Sequence, residues 1–440
     1  MKKVLYLVML TLFISIPTHA QLGYTYQGKI KTGKTPVQMI LTDKGPVVYC
    51  AGVDANFNGQ LDDGDEAPSL WLLTYDNFHI NGSQKLLDLD FRTPSVPSRN
   101  FFDSFRNLLF IANTNSIDTV SFSFDNSEVK ARKGRFLEST GNVTGISSSE
   151  KQLFLSVRKS MTEGFVYVYD FESKIFTDTI TAGTGVQMNE YQMMLNHLII
   201  LNEGTFGKDD GNIQLVSFKD DKPDTNITVP IGGLPNHFLV DFSSHKIFVV
   251  CNVSNNIIVI NENGDKDTIH LDLPEYNGPR EISIFPVDSP DINYAITTYD
   301  GKVFIIDDAG NSQGTFDAHG KAENATMLGP DFLILTPFET GSYNPSDEIS
   351  LYSKETSDVE DITELSWTVF PNPASDFISV SHPSNPEIQY AYIINSLGQR
   401  IKTLNANALD NISVESLSTG LFFLRIVADN KIETIPFIVR

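Results

Sequence analysis

A repeat constrains this chain more than any other feature. Three segments share one plan: NHFLVDFSSHKIFVVCNVSNNIIVIN from Asn236, REISIFPVDSPDINYAITTYDGKVFIID from Arg280 and NVTGISSSEKQLFLSVRKSMTEGFVYVYD from Asn142. Each runs through an apolar strand, a polar turn, a second strand, a loop and a third strand of the form xVxVID. Four more segments follow the plan, so seven units start at Pro36, Pro97, Asn142, Val186, Pro235, Pro279 and Ala322. Their spacings of about 61, 45, 44, 49, 44 and 43 residues match a four-stranded propeller blade. No stretch from 22 to 360 holds a helical 3.6-residue period.

Strands such as IFVV and IIVI are apolar on both sides, as a sheet flanked by a neighbour on each face requires. The expected fold class is therefore all-β, a seven-bladed β-propeller followed by a small C-terminal β-sandwich. The strand YTYQGKIKTG, Tyr24 to Gly33, precedes the first unit and has no hairpin partner there. It is predicted to supply the outer strand of the seventh blade, after EISLYS, and so to tie the ring shut. An open solenoid would instead need a capping unit, and none is visible.

The N-terminus, MKKVLYLVMLTLFISIPTHAQ, has two lysines, an apolar run and a small-residue cleavage pattern. That is the signature of a secretory signal peptide, expected over 1–20. Removing Lys2 and Lys3 from 32 basic residues leaves 30 against 55 acidic ones, a charge of about −25. Such a surface repels nucleic acid and anionic lipid. Cys50 and Cys251 fall in non-neighbouring units, too far apart for a disulfide, and are expected as buried free thiols. The triplets DTV at Asp118 and DTI at Asp178 and Asp267 resemble bacterial O-glycosylation sites.

From Trp367 the chain reads WTVFPNPASDFISV, then INSLGQRIKTL, ISVESLSTGLFFLRIV and KIETIPFIVR. Period-two apolar runs cut by Asn, Pro and Gly predict the small β-sandwich. These motifs resemble the C-terminal sorting domain of the type IX secretion system: an opening Pro371-Asn372-Pro373, a turn at Gly398 and Gln399, and a strand led by Gly420. The expected division is a propeller over 21–356, a linker over 357–365 and the sorting domain over 366–440. The resemblance implies a partner in the type IX secretion machinery, export across the outer membrane, and release or attachment at the cell surface after the domain is removed.

The segments LNEGTFGKDDGNIQLVSF (Leu201 to Phe218) and YAITTYDGKVFIID (Tyr294 to Asp307) resemble the YVTN/YncE-like, quinoprotein-amine-dehydrogenase-like seven-bladed propellers, and within them a group of surface propellers that includes cobalamin-capture proteins. That resemblance implies a surface-exposed binding protein, with a small molecule such as a corrinoid among its ligands. Propellers of this kind also include lactonases and quinoprotein dehydrogenases, so an extracellular enzyme stays open, as does a protein-binding adhesive propeller. No GxSxG, HExxH or zinc-spaced Cys/His set is present.

The long first unit carries DANFNGQLDDGDE between its second and third strands. Read as a calcium loop, Asp54, Asn56 and Asn58 take positions 1, 3 and 5, the Gln60 carbonyl takes 7, Asp62 takes 9 and Asp65 takes 12. Alternating carboxylate and amide oxygens suit a hard cation. Position 12 is Asp rather than the longer Glu, and a merely solvated acidic loop is the alternative. A bound Ca2+ would be structural, stiffening the insertion.

Ligands of propellers meet the face built from the second-to-third-strand loops and from the loops entering each inner strand. On that face Arg158, Phe206, Asn236, His237, Asn252, Arg280, Tyr299 and Tyr343 supply ring planes and fixed donors for a pocket. Asn252 could equally start a turn, and Arg280 could pair with a neighbouring blade. No catalytic residue is expected.

Overall fold

The computed structural model describes residues 22–354 and 367–439, apart from short stretches at 43, 57, 59–60, 77–78, 90–99, 113–115, 126–127, 139–140, 161, 193–195, 242–243, 262–263, 272, 274–276, 286–292, 383–387, 396–399, 405–408, 416, 418–419 and 429–430. The proposed signal segment and the linker lie outside the described residues, as do Gln60 and Gly398. All regular structure among the described residues is β-strand, and no helix is long and apolar enough to cross a membrane.

Seven antiparallel sheets of four strands make the blades. Their inner strands are Pro36–Thr42, Phe101–Asp103, Val143–Ser148, Val186–Gln192, Pro235–Asp241, Pro279–Phe285 and Asn324–Leu328. Blades 1 to 6 take four consecutive strands each. The seventh takes three and borrows its outer strand, Tyr24–Lys31, from the start of the described chain. That strand runs antiparallel to Pro345–Lys354, from Tyr24 opposite Lys354 to Lys31 opposite Glu348. The register shifts between Tyr26 and Gly28, and Gly28 has φ +119°, a conformation that a side chain disfavours.

The apolar core shows that the ring is closed. Seven hydrophobic clusters each join two adjacent blades, and the set includes the contact between blades 7 and 1, where Leu333, Leu335 and Ile349 meet Val48, Cys50 and Leu73. An open arc of seven sheets would have six such contacts. Each fully buried Val, Leu, Ile or Phe in them contributes about 1.5–3 kcal/mol, so both faces of every blade are stabilised by neighbours.

Buried aspartates brace the ring on the side opposite the loop face. Asp103 accepts from Arg106 Nη1 at 2.7 Å and from Ser148 Oγ of the next blade at 3.2 Å. Asp241 accepts from Tyr294 OH of the next blade at 2.6 Å. Asp331 reaches blade 1, where it accepts from Ile80 N at 2.5 Å and meets His79 Nδ1 at 2.9 Å. The two cysteines are free and buried, at the same position in blades 1 and 5. Burial pushes both thiols up to about 12, which keeps them inert.

The C-terminal unit has a three-stranded sheet, led by Thr368–Phe370 and Phe377–Ser381, and a four-stranded sheet ending in Gly420–Ala428 and Lys431–Val439. Trp367, Ile378, Ile393, Leu424 and Phe437 fill its core. The PNP motif has a mechanical role here. Asn372, between Pro371 and Pro373, donates through Nδ2 to Pro436 O at 3.2 Å and accepts from Ile438 N at 2.9 Å. The opening turn is thus stitched to the final strand, and Gly420 opens the adjacent strand opposite Val439.

Candidate functional site

Most inner strands begin with a register shift. Pairing skips between Pro36 and Gln38, Val143 and Gly145, Val186 and Met188, Pro235 and His237, and Pro279 and Ile282. A bulge re-aims the extra residue out of the ladder. In blade 5 that residue is Asn236; in blade 6 the shift is wider and frees both Arg280 and Glu281. These side chains turn toward the next blade at the mouth of the ring on the loop face.

Two polar chains cross blades 5 to 7 there. In the first, Asn236 Nδ2 donates to Arg280 O at 2.6 Å, and the Arg280 guanidinium grips Glu323 with two bonds, Nε to Oε2 at 3.1 Å and Nη2 to Oε1 at 3.0 Å. Tyr299 OH donates to Glu323 Oε2 at 2.6 Å, and Arg280 Cζ stands 4.5 Å from the centre of the Tyr299 ring. In the second chain, Ile282 N donates to His237 Nδ1 at 3.3 Å, so the ring proton belongs on Nε2, 3.9 Å from Glu281 Oε2. Glu281 also accepts from Asn324 Nδ2 at 2.7 Å.

The electrostatics follow from this pairing. Burial works against the Arg280 charge, but the Glu323 carboxylate outweighs it and pushes the guanidinium further up. Burial, then the nearby Glu323 charge, holds the Tyr299 phenol well above its ordinary value. Arg280 and Glu323 cancel, and the bidentate geometry is what makes such a buried pair tolerable. Above them Tyr343 is 63% exposed, braced edge-on by Phe338 at 5.4 Å and Tyr299 at 6.3 Å between ring centres.

The remaining sequence candidates divide. Asn252 braces the seam between blades 5 and 6, donating to Pro279 O at 3.0 Å. Gly278 is required beside it, because a Cβ there would meet Asn252 O at 1.7 Å. Arg158 lies at the seam of blades 3 and 4, where it donates to Gly185 O at 3.0 Å, Gln187 Oε1 at 2.9 Å and Glu203 Oε2 at 3.1 Å. Its Nε and Nη2 are held by blade 4. Phe206 stands alone at a loop tip, 75% exposed, over a turn closed by Asp210, which accepts from Thr205 N at 2.6 Å.

Arg280, Tyr299 and Tyr343 are therefore brought together, with Asn236 and His237 in the adjoining chains. Glu281, Glu323 and Lys321 belong to the same place and were not anticipated from sequence. Aligning Pro235-Asn236-His237 with Pro279-Arg280-Glu281 and Ala322-Glu323-Asn324 across the repeat is the signal that finds two of them.

The acidic loop of blade 1 occupies the same face. A bridge between Val53 and Glu66 closes its neck. Inside, Asn56 Nδ2 and Asn58 Nδ2 donate to Asp62, the second at 2.7 Å, while Asp65 accepts from Ala55 N at 2.8 Å and Asp62 N at 3.1 Å. Asn58 N donates to Asp54 Oδ1 at 3.2 Å. A cation at the centre would require both Asn side chains to turn their oxygens inward. Among the described residues no three His, Cys, Asp or Glu side chains group closely enough to hold a metal ion. Of the threonines in the triplets, Thr179 and Thr268 are exposed on outer strands, whereas Asp118 is buried and paired with Arg135.

Residues 368–440 match the family described as "Secretion system C-terminal sorting domain". The remainder is similar in fold to solved propellers. The Dos1 propeller has a TM-score of 0.50 and 11% identity over 76% of this chain and 97% of that one. The WD40 β-propeller domain of Doa1 has 0.49 and 15% over 76% and 98%. The virginiamycin B lyase of Staphylococcus aureus has 0.48 and 10% over 75% and 99%. At such identities the likeness speaks to fold alone. Comparison with curated proteins gives no match. The chain is a seven-bladed β-propeller followed by a type IX secretion sorting domain, a combination that marks it for export through the outer membrane.

Proposed function

We propose that this is an extracellular binding protein, delivered by its sorting domain, that holds a ligand on the loop face over blades 5 to 7. The observation that carries the reading is the two polar chains converging from three blades beneath an exposed, braced aromatic ring. Arg280 and Glu323 are committed to each other and Glu281 to Asn324 and His237, which suits a rigid seat more than a proton-transfer site. The sequence resemblance to cobalamin-capture propellers makes a corrinoid the first ligand to try.

A protein partner is the second reading, favoured by apolar tips spread over neighbouring loops, Phe206 in blade 4 and Val253 in blade 5. In either case the leader over 1–20 is removed on export, and the domain from 366 is cleaved before release or attachment. A thermal-shift panel of corrinoids, saccharides and peptides on the exported protein tests the reading. At least one class should raise the melting temperature, and Tyr343→Ala or Phe206→Ala should abolish the rise. A rise untouched by both substitutions would place the ligand elsewhere and overturn it.

A further inference from the structure

Lys321 enters blade 7 beside the site and is only 7% exposed. Its ammonium has three donors. One reaches Tyr299 O at 3.3 Å, and among the described residues no carboxylate lies within ion-pairing distance of it. Two other cations of the same face, Arg158 and Arg280, each hold a glutamate, at 3.1 and 3.0 Å. Glu323 is turned to Arg280 and Tyr299, and its bonds go to them.

Ring faces compensate the Lys321 charge only in part. Its Nζ lies 4.4 Å from the centre of Tyr343 and 5.5 Å from that of Tyr299, contacts weaker than a desolvated ion pair. The ammonium therefore sits beside an exposed aromatic ring with donors to spare.

We propose that this seam binds an anionic ring: a carboxylate or phosphate seated on Lys321 Nζ, with the attached flat ring laid against Tyr343. The inference rests on the loop-face reading above and specifies its ligand class. A lysine is a point charge without a preferred fork, so it accepts either anion. The Arg280–Glu323 pair beneath adds no net charge and Glu281 is turned to Asn324 and His237, so Lys321 is the cation that faces the rings on a chain whose overall charge is −23.

The test is calorimetric titration of the full exported chain with benzoate, phenyl phosphate and neutral benzamide. One or both anions should bind about tenfold or more tightly than benzamide, and the stronger of the two names the anion. Lys321→Met should bring the anions down to the benzamide level while its melting temperature stays level or rises, because an uncompensated buried charge has been removed. Tyr343→Ala, a change at an exposed tip, should weaken all three. Equal binding of the three probes, or a preference that survives Lys321→Met, overturns the anion seat. If that equal binding is still lost in Tyr343→Ala, the loop-face site stands without it. Binding untouched by Tyr343→Ala, or no binding of any probe, overturns the anionic-ring proposal.

Discussion

Two parts of the loop face, both rich in charge, are built in opposite ways. The acidic loop of blade 1 is one continuous segment whose side chains satisfy each other within a few residues, as Asn58 does with Asp62 and Asp54. The seam of blades 6 and 7 gathers Arg280, Tyr299, Lys321, Glu323 and Tyr343 from separate stretches, and its polar bonds join blades. The loop is exposed and self-contained, so water screens its charges. The charged groups of the seam are buried, so leaving one without a partner is costly. Damage to the loop should stay local; damage to the seam should be felt by the ring.

The largest expected effect follows from removing the acid at the seam. Glu323→Ala strands the buried Arg280 guanidinium and the Tyr299 hydroxyl, at a cost of about 3–5 kcal/mol in chemical denaturation. A loss under about 1 kcal/mol would erase the contrast between seam and loop.

A smaller effect, set by pH, checks whether burial is what distinguishes the inner strands. Burial pushes the Glu190 carboxyl on the inner strand of blade 4 from 4.5 up to about 7, against a lowering hydrogen bond from Gln192. The folded state then holds the proton where the unfolded chain has released it. The contribution of Glu190 to stability is therefore greatest below 4.5 and falls as pH rises toward 7. Melting curves across that window should show the fall, and Glu190→Gln should flatten it; an identical slope in the variant would refute the assignment.

We retain the calcium loop as a proposal, and it sharpens the comparison from the other side. Saturating Ca2+ should stabilise the protein by about 1–3 kcal/mol through mass action, and Asp62→Ala should remove the gain. Melting that is indifferent to both Ca2+ and EDTA leaves a solvated loop. The smallest effect is Asp62→Ala without Ca2+, which should move stability by no more than about 0.5 kcal/mol.

Seven units and the N-terminal strand closing the seventh blade could be read from the chain, because strand and turn chemistry repeats at a fixed spacing. The starts at Pro36, Val186, Pro235 and Pro279 coincide with inner strands, whereas Pro97 lies outside the described residues and the strand of that blade begins at Phe101. The sorting domain was readable from ordered local motifs, including the Pro371-Asn372-Pro373 turn. The site was readable only in part. Arg280, Tyr299 and Tyr343 could be assigned to the loop face by counting strands, and the structure brings them together there. Glu323 and Lys321 were not found, since nothing local separates a buried paired glutamate from a solvated one. Arg158 looked like a pocket cation from its place at a strand end, yet four acceptors in the next blade hold it.

By itself the sequence determined the architecture: radial sheets apolar on both faces must bury those faces against neighbours, and a ring leaves none exposed. Which charges meet at the mouth was decided only by the tertiary structure. Bulges at the inner strands aim Asn236, Arg280 and Glu281 across blade boundaries, and partners 43 or 44 residues apart in the chain come within bonding distance only once adjacent blades are packed.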